Sequence, residues 1–243
     1  MTLAERAAHL TEKMDDPACS EQTLRRTYAR FALVNIAVAR WRRVYRRYVR
    51  PELADVARAG RTLRLLDVGC GGGDVLRLLV RAARRDGFRT EGVGIDPDPR
   101  AIDAAKPAPH VRYRRAHSRD LVRAGERFDV VVSNHVLHHL SAPELSGLFA
   151  DSAELGERIS LHSDIARGRL AYAAFAIAAA PIAPGTFVHA DGLTSIRRSY
   201  TAAELATVVP AAWRIDRPAA FRLLAVHRGA AGARVPRSAL GVN

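Results

Sequence analysis

The sequence predicts an α/β fold: a mostly parallel sheet with helices on both faces, preceded by a helical cap and closed by an antiparallel hairpin. Three observations carry that prediction. From Thr62 onward short apolar runs alternate with amphipathic segments, the pattern of strand–helix–strand units. Upstream, apolar side chains recur at steps of three and four between Leu24 and Tyr48, which marks one buried helical stripe. Near the end, "WRIDRPAAFRLLAVHR" holds two extended runs too close together for a crossover helix, so the sheet should finish in a hairpin.

Taken in order, residues 1–20 read as a flexible or loosely helical lead that ends in a turn at "DDPACS". Residues 21–58 form the cap. Its stripe is Leu24, Tyr28, Phe31, Val34, Val38, Trp41, Tyr45 and Tyr48, while Arg42, Arg43, Arg46, Arg47 and Arg50 follow the other side. It reads as one helix or as two broken near Asn35, stopping at Pro51. A helix simply packed on the main domain and a substrate-covering lid both fit this pattern. The main domain is residues 59–228. "LRLLDVG" is a buried strand, "DVLRLLVRAARRDG" a helix ending at Gly87, "TEGVGID" a second strand and "PRAIDAAK" a short helix. "VRYRRA" and "RFDVVVSN" are the third and fourth strands, "ELSGLFADSAEL" is helical, and "RISLHSD" is the fifth strand. "DIARGRLAYAAFAIAAAP" reads as an apolar helix, and in "SYTAAEL" Thr201 and Glu204 form a capping box. Residues 229–243, rich in Gly, Ala and Pro, read as a flexible tail.

Bulk properties narrow the class. At 243 residues and 48% hydrophobic the chain can bury a full core. Its longest apolar stretch, Leu170 to Ala183, is Ala-rich and interrupted by Pro181, so no integral membrane segment is expected. The start has scattered charges and no apolar h-region, and with only Cys19 and Cys70 there is no disulfide framework; the expected location is the cytoplasm. The net charge is +13, yet only Lys13 and Lys106 among the 38 basic residues are lysines. Arginine and alanine bias of this kind follows from a GC-rich genome without any partner. Peripheral contact with an anionic membrane surface stays open, whereas nucleic acid is not an expected partner, because the basic residues lack interleaved aromatics.

The motif that specifies a ligand is "LLDVGCGGGD", in which Asp67 ends a strand and Gly69, Gly71 and Gly73 alternate before a helix. Such a loop lets backbone N–H groups approach a ligand closely. Asp67 and Asp74 suit a cationic group rather than a pyrophosphate. Asp96 ends the next strand, placed to accept both hydroxyls of a ribose. A nucleoside carrying an amino acid fits these features better than a phosphate. At this point the sequence resembles the class I S-adenosylmethionine-dependent methyltransferases over residues 60–228, through "LLDVGCGGGD", "GVGIDPDP" and "FDVVVSNHVLHHL" in that order. The resemblance implies a Rossmann-like, seven-stranded sheet with S-adenosylmethionine bound by Asp67, Gly69, Cys70, Gly71, Gly73, Asp96, Pro97, Asn134 and His135. In one respect the sequence departs from the pattern. Where relatives often carry an acidic residue after the third strand, "RRAHSRDL" offers His117 and Ser118 as the adenine-side candidates, with Asp120 slightly later.

Methyl transfer is an in-line displacement at an activated carbon, so the protein's tasks are alignment and removal of a proton from the acceptor. The histidines of "SNHVLHHL" are the natural candidates. His135 and His139 stand four apart, as a zinc pair on a helix would, but no third ligand is evident and no metal is expected. His135 after the fourth strand, and His162 with Asp164 after the fifth, are the catalytic candidates. His138 and His139 read as wall or packing residues. Tyr28, His139, Arg167, Arg197 and Tyr200 are the substrate-side candidates. No N-P-P-Y-like tetrapeptide follows the fourth strand, which argues against amide and exocyclic-amine acceptors. The similarity is to small-molecule enzymes of quinone biosynthesis and polyketide tailoring, so the expected reaction is O-methylation of a hydrophobic phenol or quinol. C-methylation of such a ring is the close alternative. An RNA-associated enzyme, or a cofactor-binding protein with a degenerate site, is the reading from another class.

Overall fold

The computed structural model describes residues 3–34 and 39–232. A seven-stranded sheet runs through it in the order β3-β2-β1-β4-β5-β7-β6. Its strands are β1 (Leu63–Val68), β2 (Thr90–Asp96), β3 (Val111–Arg115), β4 (Phe128–Asn134), β5 (Gly156–Ile165), β6 (Arg214–Asp216) and β7 (Arg222–Arg228). β1 to β5 are mutually parallel, and β7 runs antiparallel to both β5 and β6. The expected α/β sheet and its closing hairpin are both present.

Alternation along the central strands divides the core in two. Leu63 and Leu65 of β1 with Val130 and Val132 of β4 face one layer, which holds Trp41, Val44, Leu76 and Leu79. Leu66 and Val68 with Val131 face the other, which holds Leu145, Phe149, Leu205 and Trp213, and Phe128 joins this side because the register shifts between Phe128 and Val130. A period of two on a strand buried on both faces produces this split. The helices follow as α1 (Glu21–Val34), α2 (Trp41–Val44), α3 (Ala54–Arg58), α4 (Asp74–Arg85), α5 (Pro99–Ala104), α6 (Ser118–Arg123), α7 (Ala142–Leu155), α8 (Arg169–Ala179), α9 (Val188–Arg198) and α10 (Ala202–Val208). Between α2 and α3 the chain stays coiled through a π-turn, Tyr45–Val49, and a 3-10 turn, Arg50–Leu53, that contains Pro51. The proline therefore tightens the coil instead of ending it. The predicted break at Asn35 and the stripe residue Val38 lie outside the described residues, as does most of the predicted tail.

Two helices differ from the sequence reading. "HSRDL" forms α6, with Asp120 accepting from the His117 N–H at 3.0 Å, where the sequence suggested only a strand end. "VHADGLTSIRR" forms α9 although its composition suggests a loop. Gly192 explains the disguise: a Cβ there would lie 2.2 Å from the Phe175 ring, so the glycine that weakens the helical pattern is what lets α8 and α9 close together.

At the strand starts, Arg158 of β5 donates from Nε to Asp129 of β4 at 3.0 Å and from both Nη atoms to Asp55 of α3 at 2.6 and 2.8 Å. Asp129 also accepts from the Arg64 backbone N–H at 2.9 Å and from Arg61. Removing one partner of a buried charge pair leaves the other unpaired, which costs about 3–5 kcal/mol. Asp129→Ala is therefore expected to lower unfolding stability by about that much, read from the urea midpoint at unchanged m-value.

Candidate active site

The ligand-facing end of the sheet is built where β1, β2 and β4 stop. After β1 the N–H groups of Gly69 and Cys70 donate to the Ile95 carbonyl at 2.8 and 3.0 Å. The turn takes left-handed backbone at Gly69 (φ 67°) and Gly73 (φ 72°). Glycine is required at both for a steric reason as well. A Cβ on Gly69 would lie 2.7 Å from Val136, and one on Gly73 2.2 Å from the Tyr113 hydroxyl. Asp96 then locks the loop to β2, accepting from the Gly71 N–H at 3.0 Å and the Asp98 N–H at 3.0 Å.

Asp67 is the unusual group here. It is buried, and although the Leu76 N–H lies toward it, neither carboxylate oxygen has a hydrogen-bond partner of proper geometry. Burial first, and then the charges of Asp74 and Asp96, push its pKa well above the ordinary carboxylate value. Left alone, such a carboxyl is costly; a cationic ligand group would satisfy it. Together with the glycine approach and the Asp96 carboxylate, it fits the amino-acid and ribose portions of S-adenosylmethionine.

The loop opens on a cavity of about 370 Å³ lined by Asp67, Gly69, Cys70, Gly71, Asp96 and Pro97 on one side and by Asn134, His135, His138 and His139 on the other. Tyr28 of α1 closes over it, such that a Cβ on Gly71 would meet its ring at 3.6 Å. Glu12, Met14, Asp15 and Ser195 complete the wall. A larger open cleft of about 990 Å³ lies at the other end of the sheet, at the start of β5, and holds none of the motif residues.

His135 lies directly after β4 in left-handed backbone, φ 61°, a strained conformation for a non-glycine residue. Its Nε2 accepts from Arg222 Nη1 at 2.9 Å. Burial first, and then the Arg222 charge, hold its pKa well below the usual histidine value. A guanidinium can only donate, so the neutral ring carries its proton on Nδ1 and acts as a donor. This reverses the role of proton acceptor expected for His135. Arg222 itself is 1% exposed and also donates to Asn134 Oδ1 at 2.9 Å and Ser163 Oγ at 2.7 Å. Burial lowers its pKa to about 10, so it stays charged at neutral pH.

His138 was expected only to pack, yet it is the partner of Asp164. Its backbone N–H and its Nδ1 both reach that carboxylate, at 2.9 and 2.8 Å. Its Nε2 lies 3.3 Å from Glu12 Oε1. Burial alone would depress this imidazole, but the two carboxylates outweigh it and raise the pKa to about 9. His139 is half-buried, with Nδ1 3.2 Å from Asp15 Oδ2 and Nε2 3.6 Å from Glu12 Oε1.

Several sequence candidates do not line the cavity. His162 is fully buried, its Nδ1 2.7 Å from Ser133 Oγ and its ring stacked on Trp213 with centroids 5.0 Å apart. It sits in the α7-side core and does not share Asp164 as a proton relay would require. Asp164 is hydrogen-bonded to His138 instead. His117 caps α6, and Ser118 donates to Asp151 at 2.8 Å. Arg167 is bound to Glu204, the Ser199 carbonyl and the lead segment. The Tyr200 ring is covered by the Arg6 guanidinium at 4.2 Å, and the Arg197 carbonyl accepts from Ala7 N–H at 3.0 Å. Of the predicted acceptor-side set, only Tyr28 and His139 line the cavity. What the sequence reading missed is Glu12, Asp15 and Arg222. No local spacing could have found them, since Glu12 and Asp15 lie more than 100 positions, and Arg222 59 to 88 positions, from the site residues they meet.

A sheet of this topology with a glycine loop after β1 and a ribose-type carboxylate after β2 defines a nucleoside-dependent transferase. A methyltransferase-domain family matches residues 38–189, more than half of the chain, and the chain belongs to that family. The ubiquinone biosynthesis O-methyltransferase of Cereibacter sphaeroides is 42% identical over 86 residues, which cover 33% of this chain and 32% of that protein. The enzyme of the same name from Mesorhizobium japonicum is 37% identical over 112 residues, 40% of this chain and 42% of that protein. The matched stretch thus spans about a third of the length of the first of these relatives. Among solved structures, the plantazolicin methyltransferase BpumL in complex with a monoazolic desmethylPZN analog and SAH superposes with a TM-score of 0.57 at 9% identity, covering 86% of this chain and 95% of that one. Human N-acetylserotonin methyltransferase in complex with SAM gives 0.58 at 12% identity, covering 86% and 56%. These structures share the fold. S-adenosylmethionine is the cofactor of this methyltransferase.

Burial, and then the charge of His227, lowers the pKa of His162 to about 3. Below about pH 6.5 the unfolded chain takes up a proton that the folded ring refuses, so this histidine's contribution to stability is full above that pH and lost as the pH falls toward 3. The expected loss at pH 5 is about 2 kcal/mol. Urea unfolding at pH 7 and pH 5 should show a smaller pH difference in His162→Gln than in the native protein; equal differences would contradict the assignment.

Proposed function

We propose that this methyltransferase O-methylates a hydrophobic phenolic or quinol-type small molecule. The observation that carries the reading is the imidazole–carboxylate cluster of Glu12, Asp15, His138 and His139 on the wall of the cofactor cavity. The local identity to ubiquinone biosynthesis O-methyltransferases supports the same reading.

When bound, S-adenosylmethionine supplies a methyl carbon already activated by its sulfonium. Asp67 would hold the cationic amino-acid end, the N–H groups of the Gly69–Gly71 loop would lie against it, and Asp96 would take the ribose. The chain's remaining task is the acceptor's proton. A phenol titrates near 10 and an unperturbed imidazole near 6.5, a gap that a positioned base can cover. His139 meets the requirement. Its ring lines the cavity, and Asp15 accepts from Nδ1, which leaves Nε2 able to accept a proton. His135, fixed as a donor by Arg222, would orient the acceptor oxygen. Tyr28 over the glycine loop supports a capping role for residues 21–58 above residues 59–228.

No helix among the described residues is long and apolar enough to cross a membrane. We place the enzyme in the cytoplasm, with its arginine-rich face able to meet an anionic membrane where a hydrophobic acceptor would partition. C-methylation of the same ring is the second reading, because a quinol's activated carbon fits the same wall and the same base.

Incubation with labelled cofactor and a panel of catechols and quinols, with products located by mass spectrometry, is expected to give methyl ethers. Ring-methylated products would establish the second reading, and labelling of bulk RNA without any phenol product would overturn both. His139→Ala is expected to lower kcat by about 10²- to 10⁴-fold while calorimetric binding of S-adenosylhomocysteine persists. Asp67→Ala should instead weaken that binding.

A further inference from the structure

We propose that Glu12, His138 and His139 form a binding site for one divalent transition-metal cation of the zinc type. The argument begins with the two outer nitrogens. His138 Nδ1 lies 2.8 Å from Asp164 Oδ1, and His139 Nδ1 lies 3.2 Å from Asp15 Oδ2. Each carboxylate holds the Nδ1 side of its ring, and both Nε2 atoms turn toward the same oxygen, Glu12 Oε1, at 3.3 and 3.6 Å; a bound ion would take the place of the proton that the charged His138 ring carries on Nε2.

The three donor atoms lie within 4.8 Å of each other, and His138 Nε2, on a side chain with 0% exposure, has no hydrogen bond of proper geometry. A tetrahedral zinc with bonds of about 2.0–2.1 Å holds its ligand atoms about 3.3–3.4 Å apart. The His138–Glu12 distance of 3.3 Å matches that spacing, and the His139–Glu12 distance of 3.6 Å is longer by about 0.2 Å. Two imidazoles and a carboxylate are a donor set for zinc, cobalt or iron, not for calcium or magnesium, which prefer oxygen alone. Carboxylates behind both histidines are the usual outer support of such a site, fixing tautomer and ring orientation.

The histidine pair differs from the one that sequence spacing suggests. His135 Nε2 is taken by Arg222, so His135 and His139 cannot share an ion through that atom. The consecutive residues 138 and 139 sit on a single 3-10 turn, Leu137–His139, and the third ligand arrives from the lead segment, held there by Ser195 Oγ at 2.7 Å from Glu12 Oε1. The cluster lines the cavity. Resting on the O-methyltransferase reading, a cation there would take the acceptor oxygen as a further ligand and acidify its hydroxyl; in that loaded state His139 Nε2 is a ligand and no longer the base, and the proton passes to water.

The test uses the full chain, free of any affinity tag and stripped with a chelator, titrated calorimetrically with Zn²⁺ and followed by visible absorption with Co²⁺. Expected are one equivalent of each ion, a tetrahedral ligand-field spectrum for Co²⁺, and affinity at least about tenfold weaker in His139→Ala and Glu12→Gln; Asp15→Asn should weaken it by about 10- to 100-fold. Glu12→Gln preserves volume at a buried position, and a thermal melt reports whether each variant is folded. Absence of stoichiometric binding of both ions, or binding unchanged in folded His139→Ala and Glu12→Gln, would overturn the proposal. No cofactor or acceptor is present in these titrations, so their failure leaves the O-methylation reading to its own product assay.

Discussion

The ligand end of the molecule depends on one buried carboxylate. Asp164, 2% exposed at the end of β5, accepts from the backbone and the ring of His138, and burial of a charge is tolerated only when it is paired and fully hydrogen-bonded. Those two bonds hold the turn after β4 against β5. That turn carries His138 and His139 into the cavity wall and sets Val136 against Gly69. The cofactor loop and the acceptor wall are thus coupled through a residue that does not itself line the cavity.

The antiparallel β7 is the second half of the same constraint. In an all-parallel sheet the strand ends facing the ligand are carboxyl ends, so side chains at strand starts lie at the far edge. β7 runs the other way, and Arg222, its first residue, pairs with Ile165 at the end of β5. Topology therefore delivers a buried guanidinium to the ligand end. Its charge partly balances Asp164, and it fixes the tautomer of His135. The antiparallel closing strand of this fold here has a chemical consequence as well as an architectural one.

How much of this could be read in the sequence follows from how local each feature is. β1, the glycine loop and α4 are contiguous, and Asp96 ends the next strand, so the cofactor half was legible as a motif. The capping box of Thr201 and Glu204 was legible for the same reason, with Glu204 accepting from the Thr201 N–H at 2.8 Å. His162 was misread because a two-residue spacing shows that it shares a sheet face with Asp164 but not what covers that face; Phe149 and Trp213 cover His162. α9 was not legible because its glycine is explained only by a neighbouring helix. Glu12 was invisible altogether, since its meaning lies entirely in residues more than 100 positions away.

The lead segment is the part of the cavity wall least constrained by burial. Among residues 3–20 only Glu12 is buried. The segment is tied down by polar bonds instead, among them the Lys13 and Met14 N–H groups to Asp191 at 2.8 and 3.0 Å, Arg6 Nε to the Arg198 carbonyl at 2.6 Å and Ser195 Oγ to Glu12 at 2.7 Å. Segments with few apolar contacts occupy the low end of local stability. The glycine loop, by contrast, lies between two core clusters and packs directly against Val136 and Tyr113. A glycine loop backed by the core and a wall segment held by polar bonds are thus fastened by different means at one cavity, on a sheet whose fold recurs at 9–12% identity in its structural neighbours.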